Sequence, residues 1–214
     1  MSRGGDGMLG IDVGGTTVKG IRVGPSGTVE AEHRVPTPTG DPSGDRVVEA
    51  VAAVVAALGG STAAPIGLVV PGIVDELEGV AVWSANVGFD RAPLRASAER
   101  RLGTRVAFGH DVRAAALAEM RSGAARDRPG SLAFVPVGTG VAAAFAVDGR
   151  ILVSDGWAGE IGQTVITSGP HAGLRVEQVA SASATARRAG EEGTLAVARR
   201  VAAGDAAATA VWSD

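Results

Sequence analysis

Asp12, Gly14, Gly15, Thr16, Thr17 and Lys19 bring a carboxylate, two glycines, two hydroxyls and a cation together within eight positions. That set suits a phosphate chain. Glycines accept positive φ and let a ligand approach the backbone. Successive N–H groups in a tight turn, with hydroxyls and an ammonium beside them, match phosphate oxygens. Asp12 adds a ligand for a divalent cation such as Mg²⁺ and its waters. An ordinary Gly-Gly hairpin accounts for the tetrapeptide Gly14–Thr17 by itself, so Asp12 and Lys19 carry the phosphate reading.

Four more groups have chemical potential. Gly138-Thr139-Gly140 followed by Ala143 matches G-x-G-x-x-A, a dinucleotide fingerprint. That fingerprint requires a helix directly after it, whereas Val141–Val147 runs into Asp148-Gly149 and reads as a strand entering a hairpin. The better reading is a second phosphate-gripping turn. Asp111, after His110, opens an alanine-rich helix; it either caps that helix or faces a substrate hydroxyl and accepts its proton, since phosphoryl transfer needs a carboxylate to orient the nucleophile and little covalent chemistry. Glu160 and Gln163 in Gly159-Glu160-Ile161-Gly162-Gln163, and Glu177 in the first turn of a helix, are either exposed turn and helix-start residues or ligands for hydroxyls. Gly72 and Asn86 fall on loops, with a strand break and a turn as their plain readings.

The elements that position these residues follow from pattern. Met8–Val13, Val18–Val23 and Thr28–Val35 read as strands, with Gly24–Gly27 a turn and Pro36–Pro42 a connector. Val47, Val51, Val54, Val55 and Leu58 share one face of a helix over Asp45–Leu58, stopped by Gly59-Gly60. Ile66–Val70 is a fully apolar strand of the kind covered on both faces. Gly79–Trp83 and Arg105–Phe108 are strands; Pro93–Leu102 and Asp111–Arg121 are helices, with Asp111 at the N-cap. Leu132–Val137, Val141–Val147 and Arg150–Val153 are strands, then Arg175–Ala189, Leu195–Ala203 and Ala206 onward are helices. This alternation is an α/β pattern, and the strand, glycine turn, strand and hairpin of the start recur after Gly130 as a weak internal repeat.

Composition narrows the classes. Of 214 residues, 45% are hydrophobic, enough for a core in one large or two small domains, and the net charge of −3 gives no basic footprint for nucleic acid. No apolar run is long enough to span a bilayer, and Met1–Gly7 has no signal-peptide core, which makes cytoplasmic residence the default. The absence of cysteine excludes disulfides and thiolate metal sites.

Asp12-x-Gly14-Gly15-Thr16-x-x-Lys19 resembles the first phosphate motif of the ROK family of sugar kinases and sugar-responsive repressors, in the actin/hexokinase ATPase superfamily, and the likeness continues along the chain. The resemblance implies an α/β fold of two RNase H-like domains around a cleft. Residues 1–122 would form the first domain and 123–214 the second, the latter incomplete. It implies that Gly138, Thr139 and Gly140 form the second phosphate turn. Asp111, Ala114, Ala115 and Glu119 match the family's Asn-Asp-x-x-Ala-Ala-x-x-x-Glu, which makes Asp111 the catalytic aspartate and puts His110 where the family has a sugar-holding asparagine. Glu160 matches Gly-Glu-x-Gly-His, with Gln163 in place of the histidine that binds sugar and, in many members, zinc. Ser168–Val176 replaces the three-cysteine zinc knuckle, so no structural zinc is expected and His171 reads as a loop residue. Glu177 matches the Leu-Glu-x-x-x-Ser that closes on the sugar, and Gly72 and Asn86 would line the same cleft.

The resemblance thus implies an ATP- and Mg²⁺-dependent kinase of the glucokinase type acting on a hexose or amino-hexose, as a cytoplasmic homodimer whose partners are sugar and ATP, not nucleic acid or membrane. The alternative is a non-catalytic sugar-binding ROK-type protein or a degenerate fragment; with the first strand starting by Leu9, a preceding helix-turn-helix has no room. ROK proteins continue beyond a point like Val211–Asp214 with elements that hold adenosine. Weak ATP binding, and oligomerisation or low stability through the apolar faces Val176, Val179, Ala180 and Leu195, Val197, Val201, are therefore expected of these residues alone.

Overall fold

Alternating apolar residues give β1 (Met8–Val13) one face of buried Leu9, Ile11 and Val13, and leave Asp12 on the other. β2 (Thr17–Val23) and β3 (Val29–Pro36) continue as an antiparallel meander in which Asp12 lies opposite Lys19. The computed structural model describes residues 7–59 and 64–214; Gly60 of the expected helix stop and the N-terminal residues 1–6 lie outside them. The described residues divide into two compact units, one running to Arg126 and including Val153–Trp157, the other formed by Asp127–Leu152 and Ala158–Asp214.

In the first unit, α1 (Asp45–Ala57) crosses from β3 to β4 (Ile66–Val70), which pairs parallel with β1. The expected apolar face of α1 is buried, with Val47, Val51, Val54, Val55 and Leu58 all at most 8% exposed. Its close seat on the sheet depends on Gly20, where a Cβ would collide with Val54 and crowd Ile11 and Leu58. Its first turn is capped from a distance: buried Asp41 accepts the Val47 amide through Oδ2 at 2.9 Å. A small antiparallel sheet follows, β5 (Ile73–Asp75), β6 (Val80–Trp83) and β7 (Asp90–Ala92). Then come α2 (Leu94–Leu102), β8 (Val106–His110) and α3 (Asp111–Ser122). The main sheet has the order β3-β2-β1-β4-β8, with β1, β4 and β8 parallel. Valines, leucines and isoleucines of β1, β2, β4 and α1 fill its core, along with Phe89.

The second unit carries β9 (Ser131–Phe134), β10 (Ala144–Val147) and β11 (Arg150–Ile151) as an antiparallel meander, joined by the Asp148-Gly149 turn. Helices α4 (Val176–Ala180), α5 (Ala182–Arg188), α6 (Thr194–Ala202) and α7 (Ala206–Ser213) complete it.

Several expected elements differ. β9 and β10 are shorter than the expected 132–137 and 141–147, because the Ala143 amide donates to Gly159 O at 2.8 Å and the ladder stops at the pair Phe134–Ala144. The expected helix over Arg175–Ala189 is two helices. Ser181 is extended, and its Oγ accepts the Ala184 amide at 3.1 Å, so a serine that could have continued the first helix caps the next one. Asp111 is the first helical residue of α3 rather than its cap; His110 holds the cap position. β5 and β7, three residues each, had no sequence signal.

Candidate active site

β1, β4 and β8 run parallel, so their carboxyl ends lie on one edge of the sheet, where open α/β sheets bind ligands. Three segments of interest leave that edge: Asp12–Thr17 from β1, Pro71-Gly72 from β4 and His110-Asp111 from β8. The glycine turn is closed by Gly14 N donating to Thr17 O at 2.9 Å. Thr37, only 8% exposed, clamps it from β3's end: its Oγ1 donates to Gly14 O at 2.7 Å and its amide to Thr16 O at 3.0 Å. Asn86 packs over the turn, within 3.2 Å of where a Cβ on Gly15 would lie. The turn is therefore held from two sides while Thr16 stays exposed.

Asp12 is exposed at the sheet end, yet its surroundings strip part of its hydration. Desolvation pushes its carboxyl above the usual carboxylate range, against the pull of Lys19. Lys19, half-exposed, lies 3.9 Å from Glu32. Asp12, Lys19 and the turn thus form the cation-and-carboxylate cluster that the spacing suggests.

The second cluster of this unit is built around the start of α3. Gly72 has φ +95, and a Cβ there would collide with Trp83 O; glycine alone fits. Its backbone hydrogen-bonds the ring of His110, which is 4% exposed. His110 Nδ1 accepts the Arg113 amide at 3.3 Å. Desolvation first, then the Arg113 charge, lower the imidazole pKa to about 4, so the ring is neutral at physiological pH. Asp111 Oδ1 lies 3.3 Å from the same Nδ1; with the ring neutral and Nδ1 accepting, this is proximity and not an ion pair. Asp111 Oδ1 also accepts the Val112 amide at 2.7 Å. The expected sugar ligand His110 is therefore buried, with its ring held by the Arg113 amide and the Gly72 backbone, while Asp111 beside it is half-exposed.

Three residues here were not singled out by sequence: Thr37, Glu76 and Arg113. Arg113 is 3% exposed and its Nε donates to Glu76 Oε1 at 2.9 Å. The available signal was an arginine in the first turn of a helix, where the dipole disfavours a cation unless an anion meets it.

In the second unit, Gly138 N donates to Gly140 O at 3.0 Å and Gly138 O accepts the Ala182 amide at 2.8 Å, which fixes the second glycine turn on the start of α5. Glu177 reaches the turn from α4, with Oε2 3.2 Å from where a Cβ on Gly140 would lie, and its Oε1 accepts Gln163 Nε2 at 2.8 Å. Gly140, Gln163 and Glu177 are thus brought together. Glu160 precedes the 3-10 turn Ile161–Gln163 and is half-buried; the neighbouring Gly159, at φ +99, abuts Ala143 so tightly that no Cβ fits. A groove of about 500 Å³ runs from Gly138 and Thr139 past Ala182 and Arg187 to Glu192 and Thr194. Nothing lies within 4 Å of a Cβ placed on Gly138, so the turn is open at that position.

Among the described residues no three His, Asp or Glu side chains gather as a metal site, and no helix is long and apolar enough to cross a membrane.

The ROK family pattern matches residues 8–214. The glucokinase of Halalkalibacterium halodurans is 33% identical over 195 residues, covering 86% of this chain and 59% of that enzyme; the chain thus spans about three fifths of that relative's length. The inorganic polyphosphate/ATP-glucomannokinase from Arthrobacter sp. strain KM superposes with a TM-score of 0.72 at 35% identity, over 86% of this chain and 72% of that one. A ROK family glucokinase from Streptomyces griseus, in complex with glucose and AMPPNP, superposes with a TM-score of 0.79 at 24% identity, over 95% of this chain and 73% of that one. The fold is that of the ROK glucokinases, of the actin/hexokinase ATPase type. From its first strand to its last helix, this chain belongs to the ROK family.

Proposed function

We propose that the protein is an ATP-dependent sugar kinase of the glucokinase type, acting on a hydroxyl of a hexose or amino-hexose. The observation that carries this reading is Asp111: a half-exposed carboxylate at the carboxyl edge of three parallel strands, at the first turn of α3, on a junction fastened by buried groups. Kinase relatives that cover most of the chain support it.

In this reading Asp111 orients the acceptor hydroxyl and takes its proton as the sugar oxygen bonds to the γ-phosphorus. The bond from that phosphorus to the β–γ bridging oxygen breaks, and ADP leaves. Gly138, Thr139 and Gly140 grip the phosphates of ATP, with the nucleoside extending along the groove toward Thr194. In the first unit, Gly14, Gly15, Thr16, Thr17 and Lys19 form a phosphate-binding turn of their own. Mg²⁺ carried by ATP would be held through its waters by Asp12 and would neutralise charge on the phosphates. In the first unit Asn86 and the Gly72 loop are sugar-binding, and His110 acts on the sugar by fixing Gly72; in the second unit Glu160, Gln163 and Glu177 are the residues that bind hydroxyls.

The test is coupled ADP release with glucose, mannose and N-acetylmannosamine as acceptors, comparing the parent protein with Asp111→Asn. Asparagine keeps the size and shape of aspartate, so the variant is expected to fold and to lose about 10²-fold or more in turnover. Retention of most of the turnover removes Asp111 from this role. Because the Arthrobacter relative is named for polyphosphate as well as ATP, inorganic polyphosphate is run as a second donor.

A further inference from the structure

Glu76 Oε1 receives two donors from opposite sides of Asp111 in the chain: the His110 amide at 3.0 Å and Arg113 Nε at 2.9 Å. The Arg113 guanidinium also donates to backbone, Nη2 to Val74 O at 3.3 Å and Nη1 to Gly156 O at 3.4 Å. Strand β5, the 3-10 turn Ser154–Gly156, the end of β8 and the first turn of α3 thus meet at one ion pair, all within the first unit. Arg113 is 3% exposed, so it has left water for this one carboxylate and these two carbonyls. A guanidinium buried against a single carboxylate is weak evidence for stability, because desolvation offsets most of the attraction. What such a pair supplies is geometry: the planar guanidinium fixes directions that a hydrophobic residue would leave loose.

We propose that Glu76 and Arg113 are a positioning pair for phosphoryl transfer, holding the His110–Arg113 backbone so that the Asp111 carboxylate between them meets the acceptor hydroxyl in one orientation. The inference rests on the kinase reading above and adds two residues to it that touch no substrate. A misplacement of about 1 Å at a group that orients a nucleophile costs roughly 10²-fold in rate.

The experiment compares the full-length parent protein with Glu76→Gln, Glu76→Asp, Arg113→Met and the Glu76→Gln/Arg113→Met pair, using glucose and ATP. It reads kcat and KM separately, with the folded fraction taken from thermal unfolding. Glu76→Gln keeps an acceptor but loses the charge; it is expected to fold, to hold both KM values within about twofold, and to lower kcat about tenfold or more. The double variant is expected to be no slower than the worse single variant, because the two residues act as one unit. A kcat per folded molecule within twofold of the parent, with only the unfolding midpoint lowered, overturns the proposal and leaves the pair a structural one. If Glu76→Gln does not fold, Glu76→Asp decides on the same ratio, since it keeps the charge but is too short to hold both donors. Failure of both to fold assigns the pair to stability and also overturns it. Absence of turnover in the parent is a different result: it removes the kinase reading, and this proposal with it.

Discussion

The Arg113 amide donates to His110 Nδ1 at 3.3 Å, so the imidazole that precedes α3 is held by a backbone group of that helix's first turn, while the Gly72 backbone hydrogen-bonds the same ring. The ring is neutral, held at Nδ1 by the helix it starts and tied to the loop of Gly72. With its pKa lowered to about 4 against 6.5 when unfolded, the folded protein refuses a proton that the unfolded chain accepts. Stability is therefore complete above about pH 6.5 and falls as the pH drops toward 4, by about 2 kcal/mol at pH 5 and about 3 kcal/mol in full. Urea unfolding at pH 7.5 and pH 5.0 is expected to show this loss in the parent protein and much less of it in His110→Asn. Equal losses in the two would mean that His110 does not stay neutral in the fold.

Asp12 has the opposite character. Its carboxyl is held above the usual range by desolvation, so the folded state binds a proton more readily than the unfolded one, and at neutral pH the charged form is a cost to folding. Asp12→Asn is expected to leave the thermal midpoint unchanged or raised, while turnover with Mg²⁺ and ATP falls about 100-fold or more. A lowered midpoint with turnover retained would make Asp12 a structural carboxylate.

How far the chain's chemistry was legible depended on whether a residue's partner was near in sequence. The glycine turn, Asp12 and Lys19 announced themselves because a two-stranded meander brings positions 12 and 19 opposite one another. The apolar face of α1 followed from its period. The tie of Glu76 to Arg113 spans 37 positions and that of Thr37 to Gly14 spans 23, and neither has a local pattern to betray it. Distance in sequence also explains the reversed roles at the start of α3. Asp111 is the better cap by preference, but His110 is already buried at the strand end, where the Gly72 loop and Arg113 hold it, so the ring takes the cap and leaves the carboxylate half-exposed. The placing of Val153–Trp157 with the first unit, next to β5, likewise had no signal in the short hairpin that precedes it.

Gly140 tests the second glycine turn. A Cβ there would lie 3.2 Å from Glu177 Oε2, the far end of a side chain whose other oxygen holds Gln163. Gly140→Ala is expected to fold normally, because the carboxylate can give way by a few tenths of an ångström, but to disturb the Glu177–Gln163 hydrogen bond. Loss of one such bond is worth about 1 kcal/mol, so KM for the sugar is expected to rise about fivefold with a smaller change in kcat. An unchanged KM would separate Glu177 from the sugar site.

The last prediction concerns metal. Gln163 stands where the family resemblance puts a zinc-binding histidine, and it is not merely the wrong residue: its Nε2 donates to Glu177 Oε1 at 2.8 Å, so the amide is committed to orienting a carboxylate. The segment 168–176 supplies a single imidazole, His171, whose Nε2 lies 2.6 Å from Asp214 and which also contacts Arg188. With no cysteine in the chain, the soft thiolate ligands of a structural zinc site are missing altogether. Elemental analysis is expected to find well under one zinc per chain, and EDTA is expected to leave the thermal midpoint where it is, since no folding free energy comes from a metal. Gln163→His is expected to recruit no zinc either, because one histidine added to His171 makes two ligands where a closed site needs four. Stoichiometric zinc in the parent protein, or a midpoint that falls on chelation, would show that the segment 163–176 is organised by a metal after all.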